Sequence, residues 1–204
     1  MNKKKSLTRK HITEEEFSKL LDVTKNDRDY MLLFICGNFG LRVGELVRLR
    51  VSDIVMEDNN YYLRIPTLKR NIRKGIVKGS IKRGQLPETY EDIPFPSMEI
   101  LNFIKKYIDK YKLENWFFPW KDSHLPEYTA CRIFKRYAKK IKLNPEYSIH
   151  CLRHFKGYQI YKSKTDLKAV QTILRHKSIR TTEVYAEADL ETKKKILEDV
   201  PVIF

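Results

Sequence analysis

The sequence is poor in cysteine and glycine, which limits the kinds of site it can build. Its three cysteines, Cys36, Cys131 and Cys151, are widely spaced and form no Cys-x-x-Cys or Cys/His ligand pattern. That pattern excludes a disulfide framework and a zinc site of ordinary spacing, and it is typical of reduced core residues in a cytoplasmic protein. The seven glycines form neither a linker nor a phosphate-binding Walker loop. These absences agree with a chain that needs no metal and no cofactor.

Long apolar runs and repeats are also missing. No stretch approaches the roughly 18 apolar residues that a membrane-spanning helix needs. The basic start of the chain, residues 1–5, is not followed by the apolar segment of a signal peptide. We expect no membrane partner. Without a linker or low-complexity tract, residues 1–204 are predicted to form a single domain with a basic N-terminal arm at residues 1–12.

Acidic residues are too few to balance the basic ones. The 26 Asp and Glu face 41 Lys and Arg, which leaves a net charge of +15 and a pI of about 9.6. Such a surplus favours a polyanionic partner, because each cation placed on a phosphate releases condensed counterions. A nucleic acid is the predicted partner, although a basic ribosome-associated protein has the same overall charge.

Local patterns predict a mainly α-helical chain with a small antiparallel β-sheet, an α+β fold. Thr13 before Glu14-Glu15-Glu16 is typical of a helix N-terminus. Residues 54–55 and 61–65 are predicted to be two short strands that turn at 58–60, with a third strand at 93–95. The remaining predicted helices cover residues 29–38, 42–49, 97–108, 126–141, 150–161, 165–174, 178–186 and 189–198.

The predicted helix at 126–141 has one strongly basic face. Ile133, Phe134 and Tyr137 lie on its opposite, apolar side. The cations recur at spacings of three and four without the acids that would form i,i+4 pairs. We predict that this face contacts DNA phosphates, although a solvated helix face has the same pattern. The basic positions are Arg132, Lys135, Arg136, Lys139 and Lys140.

A second basic segment runs from Arg64 to Arg83, and no acid occurs from Asn59 through Pro87. Because like charges repel, we expect a mobile hairpin that becomes ordered on DNA. The predicted DNA-binding residues of this segment are Arg70, Arg73, Lys74, Lys78 and Lys82.

Four short motifs follow one another in a fixed order. Residues 40–46 read GLRVGEL and place Arg42 at a helix start, and residues 150–154 read HCLRH and set His150 and Arg153 on one helical face. Residues 174–179 read LRHKSI around His176, and Tyr185 follows nine positions later. Each motif alone has an ordinary structural explanation. Together they resemble the signature of the tyrosine recombinase, or phage integrase, family, over about residues 13–185.

The resemblance implies the catalytic-domain fold of that family and a role for each motif residue. Arg42, Arg153 and His176 would stabilise charge on the phosphate, and His150 would be the base for the nucleophile Tyr185. Two guanidiniums suit this task because their fixed pairs of donors match phosphate oxygens. The resemblance also implies that Lys69, or else Lys78 or Lys82, protonates the leaving 5′ oxygen. It implies a site-specific recombinase or integrase that acts on double-stranded DNA, needs no ATP, metal or cofactor, and assembles as a homo-oligomer on that DNA.

The sequence departs from the family pattern in three places. Arg175 stands where the family has a glycine before the second histidine, and FKGY at residues 155–158 replaces the usual small residues. The family's N-terminal DNA-clamping domain is not in this sequence, which implies either a fragment or a single-domain enzyme.

The tail at residues 187–204 is expected to fold back on its own domain or to dock on a neighbouring protomer. A DNA-binding accessory protein and a strand-relaxing topoisomerase are the alternative functions.

Overall fold

A computed structural model describes residues 11–67, 89–164 and 167–175. The chain divides into two compact units, one formed by residues 1–43 and 128–204 and the other by residues 44–127. They are called the helical unit and the sheet unit below. The predicted class, mainly α with a small antiparallel sheet, is confirmed. None of the helices in the described ranges is long and apolar enough to cross a membrane.

The helical unit has its core between packed helices, with α6 lying against both α2 and α7 and α1 lying against α2. Phe17 of α1 meets Phe155 of α6 with ring centroids 4.9 Å apart. His11 stacks on Tyr158 at 4.1 Å. The helices are α1 (Glu14–Asp22), α2 (Asp27–Phe39), α5 (Glu127–Lys140), α6 (His150–Lys164) and α7 (Leu167–Ile173).

Local sequence signals account for the ends of α1 and α2. Thr13 and Glu16 form a capping box, in which the Glu16 amide donates to Thr13 Oγ1 at 3.1 Å and the Thr13 amide donates to Glu16 Oε2 at 2.7 Å. The helix start predicted at Thr13 is confirmed. Helix α2 ends at Gly40, whose φ of 62° lies in the left-handed region that favours glycine.

The sheet unit is built around a three-stranded antiparallel sheet in the order β1-β2-β3. Leu63 of β2 lies between Ile54 of β1 and Ile93 of β3, and it is buried. The elements are α3 (Val43–Val47), a 3-10 turn (Val51–Asp53), β1 (Ile54–Glu57), β2 (Asn60–Thr67), β3 (Thr89–Pro94), α4 (Met98–Tyr111), β4 (Pro119–Trp120) and β5 (Ser123–His124).

The turn between β1 and β2 has the geometry that its sequence predicts. Asp58 and Asn59 both have positive φ, 49° and 60°. Two such residues match the right-handed twist of the flanking strands, and Asn and Asp tolerate this conformation better than most residues. The strand pair predicted around residues 58–60 is therefore confirmed.

One expectation about the basic hairpin is wrong at its first residue. Arg64 is not surrounded by like charge, because the strand register places Asp92 opposite it. Its guanidinium donates to both carboxylate oxygens of Asp92, at 2.9 and 2.8 Å, and to Glu57 at 2.7 Å. These hydrogen bonds hold the pKa of Asp92 below its usual range. The acids lie just beyond the acid-free window, so the linear charge pattern missed them.

Candidate active site

Arg153 is the best-buried charged side chain of the candidate site. It lies on the first turn of α6 and is 2% exposed. Its Nη1 donates to the carbonyl oxygen of Gly40 at 2.6 Å, and its Nη2 donates to that of Leu174. A buried guanidinium is costly unless its donors are satisfied. The two carbonyls therefore fix both the position and the plane of the Arg153 fork.

Arg42 reaches the same turn of the backbone. Its Nη2 donates to the carbonyl oxygen of Arg175 at 3.1 Å. The acceptors of the two arginines, the carbonyls of Leu174 and Arg175, are consecutive and directly follow α7. Carbonyls at a helix C-terminus lack partners inside the helix and carry the negative end of its dipole. This turn can therefore hold two cations that would otherwise repel each other.

The turn at 174–175 is held by its own hydrogen bonds and an unusual backbone conformation. The Leu174 amide donates to the Val170 carbonyl at 3.0 Å, and the Arg175 amide donates to the Thr172 carbonyl at 3.1 Å. Arg175 has a φ of 56°, in the left-handed region. Motifs far apart in the sequence thus meet at one short piece of backbone.

His150 is the first residue of α6 and is exposed. Its ring lies edge-on to that of His154, with centroids 5.1 Å apart. Residues three apart on a helix have Cβ atoms about 5–6 Å apart, so His150 and Arg153 neighbour each other as the HxxR spacing predicts. An exposed imidazole beside a buried guanidinium can exchange protons with a bound substrate.

The structure brings three of the six predicted catalytic residues into one unit: Arg42, His150 and Arg153. The other three, Lys69, His176 and Tyr185, lie outside the described residues. So do the predicted DNA-binding residues of the basic hairpin, Arg70, Arg73, Lys74, Lys78 and Lys82. Their roles remain predictions.

Gly40 is the first residue of the motif at residues 40–46, and the structure shows why glycine is needed there. It ends α2 with φ of 62°, and its carbonyl holds Arg153. A Cβ built on it would lie 2.6 Å from Leu174 Cδ2 and 3.3 Å from Lys156 Cβ. Both the backbone angle and the space therefore require glycine here.

We expect Gly40→Ala to lower the free energy of unfolding by about 1–3 kcal/mol, through the left-handed strain and the crowding of Leu174. Because Leu174 also supplies an acceptor for Arg153, DNA cleavage should fall more than the loss of folded protein explains. Chemical denaturation and a single-turnover cleavage assay measure the two effects. Gly157→Ala, on α6, is the glycine control for denaturation. Unchanged stability of Gly40→Ala would contradict the packing described here.

Lys156 is a residue whose setting the sequence did not indicate. It lies one turn after Arg153 on α6, and its Cβ and Cγ pack against Gly40. Burial lowers the pKa of its ammonium group. It adds a partly desolvated cation to a unit that already holds Arg42 and Arg153, and this further favours an anionic ligand.

The basic face predicted on helix 126–141 is present on α5, and all five of its cations are exposed. Some of them are already engaged. Arg136 forms an ion pair with Asp29, which is 1% exposed, and Lys135 donates to the carbonyl of Pro145. Lys140 lies 5.0 Å from the Tyr137 ring centroid. In the described parts of the chain, Arg132 and Lys139 make no ion pair or side-chain hydrogen bond, so the predicted DNA contact rests mainly on them.

Asp29 is a buried acid that pairs with the basic face of α5, and the sequence pattern did not identify it. Besides Arg136, it accepts hydrogen bonds from Arg28 at 3.1 Å and from the Tyr137 hydroxyl at 3.1 Å. Burial and the neighbouring carboxylate of Asp29 raise the pKa of Tyr137. The phenol therefore stays protonated and continues to donate to Asp29.

The described cysteines are in settings that suit core residues. Cys36 and Cys151 are buried, and burial raises the pKa of the Cys151 thiol to about 12. A thiol with so high a pKa is a poor nucleophile at neutral pH. Within the described ranges, no three His, Cys, Asp or Glu side chains are grouped as a metal site would require.

Comparison with known proteins decides the family. The model of the phage integrase family matches residues 10–192. The chain belongs to this family. It is 30% identical over 196 residues to the tyrosine recombinase XerA of Pyrococcus furiosus, in an alignment that covers 93% of this chain and 61% of that protein. The chain thus spans about six tenths of the length of this relative.

Solved structures show the same fold. A crystal structure of XerA recombinase aligns with a TM-score of 0.74 at 18% identity, covering 99% of this chain and 68% of that one. XerH bound to a palindromic difH substrate, in a post-cleavage complex, aligns with a TM-score of 0.71 at 20% identity, covering 93% and 52%. The fold is that of a tyrosine recombinase catalytic domain.

Proposed function

We propose that this chain is a site-specific DNA recombinase or integrase that cuts and rejoins strands through a covalent link to Tyr185. One observation carries the proposal. The arginines of the first two motifs, Arg42 and Arg153, donate to the carbonyls of Arg175 and Leu174, which are the first two residues of the third motif. Family membership and the DNA-bound XerH relative support the same function.

The arginine pair suits the charge that develops during phosphoryl transfer. In such a reaction the attacking and leaving oxygens lie roughly in line, and negative charge spreads over the non-bridging oxygens. Because backbone carbonyls already hold the two guanidiniums in place, little reorganisation is needed when the charge appears. Each donor of this kind contributes on the order of 10²–10³ in rate. His176 is proposed to add a further donor.

The proposed first step is a transesterification. The Tyr185 Oη attacks the phosphorus and gives its proton to His150. A base is needed because a phenol with the ordinary pKa of about 10 is mostly protonated at neutral pH. The bond from phosphorus to the 5′ oxygen breaks, and that oxygen takes a proton from Lys69, or from Lys78 or Lys82. The products are a 3′-phosphotyrosyl link and a free 5′-hydroxyl.

Rejoining is the reverse reaction with a new 5′-hydroxyl as the nucleophile. One phosphoester bond is exchanged for another at each step, so the energy of the original bond is retained. We therefore propose that no ATP takes part. We also propose that no metal ion takes part, because Arg42 and Arg153 supply the positive charge that the phosphate needs. Arg132 and Lys139 would hold the duplex through its phosphates, and the tail at residues 187–204 would dock between protomers of a homo-oligomer.

The test is a covalent trap on nicked duplexes with a randomised core sequence, since the target DNA is unknown. Loss of the short fragment next to the nick prevents rejoining, so wild-type protein should accumulate a detergent-resistant adduct. Tyr185→Phe should reduce adduct formation by at least ~10³-fold because the nucleophilic oxygen is missing. Tyr111→Phe, at an exposed tyrosine of α4, is the matched control and should react normally.

The outcomes separate the competing functions. DNA binding without any adduct would indicate an accessory protein, and an adduct with Tyr185→Phe would refute the assigned nucleophile. Relaxation of supercoiled plasmid by isolated monomers, without pairing of two sites, would favour a topoisomerase.

A further inference from the structure

Arg175 occupies a backbone position that arginine rarely adopts. Its φ of 56° is left-handed, and residues at the end of a helix with this angle are usually glycine, because a Cβ crowds the following carbonyl. Glycine at this position would avoid the free-energy cost of the left-handed conformation, yet the sequence has arginine there. A strained residue at a candidate site points to a use for its side chain.

The side chain of Arg175 is turned into the protein. Its Nε and Nη1 atoms are inaccessible to solvent, whereas an arginine on an exposed turn would normally extend into water. Its own carbonyl accepts from Arg42, and the preceding carbonyl accepts from Arg153. Residues 174 and 175 are therefore associated with three guanidinium groups. One is the side chain of Arg175, and the other two donate to the backbone carbonyls of these residues.

We propose that Arg175 supplies a third guanidinium to the phosphate site formed by Arg42 and Arg153. The inference rests on the proposed function, since it assigns the anion to a DNA phosphate. Guanidiniums repel one another and stay protonated in proteins. An anion that all three contact would offset this repulsion, and the scissile phosphate is the anion that the proposed reaction places at Arg42 and Arg153.

The same features allow the side chain to be tested without disturbing the turn. Arg175→Gly keeps the carbonyl that holds Arg42 and also suits the left-handed backbone. Lys142 is a matched control in the helical unit. It follows α5 with a φ of 56°, it is exposed, and its amide donates three residues back to Lys139, as that of Arg175 does to Thr172. Lys142→Gly removes the same charge and the same strain elsewhere.

The experiment compares wild type, Arg175→Gly, Arg175→Lys and Lys142→Gly on the same nicked duplexes. Both glycine variants should keep or raise the unfolding midpoint, by up to about 2–4 °C. Arg175→Gly should lower the single-turnover cleavage rate on the order of 10²-fold, and Arg175→Lys should recover part of the loss. Lys142→Gly should cleave as wild type does. The slope of log K against log salt should become less steep by about 1 for Arg175→Gly alone.

Two results would overturn the inference. The first is an Arg175→Gly protein that cleaves and responds to salt like Lys142→Gly. The second is one whose unfolding midpoint falls while its salt slope stays unchanged, because the side chain would then be only a structural anchor. If wild type forms no adduct, the proposed function fails, and the salt slopes still decide whether Arg175 contacts a phosphate.

Discussion

Replacing Arg153 with alanine is expected to lower the rate of DNA strand cleavage by at least ~10³-fold and the free energy of unfolding by about 3–5 kcal/mol. Both effects follow from the same two hydrogen bonds. Arg153 is almost completely buried, and it satisfies the carbonyls of Gly40 and Leu174. Alanine leaves both acceptors without their donor and opens a cavity between α2, α6 and the turn after α7.

Arg153→Lys separates charge from geometry. A single ammonium group keeps the positive charge but cannot present two parallel donors in one plane. We expect it to lose less stability than alanine and still to cleave on the order of 10²-fold more slowly than wild type. Denaturant unfolding gives the stability, and single-turnover assays well below the unfolding midpoint of each variant give the rate.

Lys162→Ala is the control for this series, because Lys162 is an exposed cation on the same helix. It should change neither quantity by more than the usual surface effect of about 0.5 kcal/mol. An Arg153→Ala protein that is folded and cleaves within tenfold of wild type would contradict the role assigned to this guanidinium.

Asp29→Ala should be strongly destabilising although it changes a surface-charged residue type away from the candidate site, lowering the free energy of unfolding by about 2–4 kcal/mol. The buried carboxylate accepts from Arg28, Arg136 and the Tyr137 hydroxyl. Its removal leaves the hydroxyl buried and two guanidiniums without their acceptor. The loss in free energy of unfolding should stay below the largest losses known for broken buried ion pairs, because Arg136 is 56% exposed and its guanidinium can be solvated by water.

A double-mutant cycle between Asp29 and Arg136 measures the pair directly. We expect a coupling energy of about 1–2 kcal/mol, since residues in one hydrogen-bond network are not additive. Asp22→Asn, at an exposed acid that ends α1, is the matched control and should be nearly neutral. Additive effects of Asp29→Ala and Arg136→Ala would show that the ion pair contributes nothing, and Arg136 would return to the set of cations available for DNA.

Much of the fold could be predicted because its signals are local. The capping box of Thr13 and Glu16 fixes where α1 begins, and the two-residue turn at Asp58 and Asn59 fixes the register of β1 against β2. The apolar face of α5 followed from the spacing of Ile133, Phe134 and Tyr137, all of which are buried.

The candidate site could be predicted only in its side chains. The motifs identified Arg42, His150 and Arg153, but they contain no information on what holds the arginines. Their acceptors are backbone carbonyls distant in sequence, and a carbonyl has no residue type that a pattern can show. The burial of Asp29 depends on tertiary packing against α5, so in the sequence it looks like an ordinary acid in the first turn of a helix.

Tyr185 is proposed to form the covalent link to DNA, and peptide mapping of the trapped adduct tests this assignment. Trypsin should release residues 181–193 as one peptide, TTEVYAEADLETK, in which Tyr185 is the only tyrosine. After nuclease digestion, we expect mass spectrometry to find a nucleotide attached through phosphate to this tyrosine. A nucleotide on any other peptide, or no adduct at all from folded wild-type protein, would contradict it.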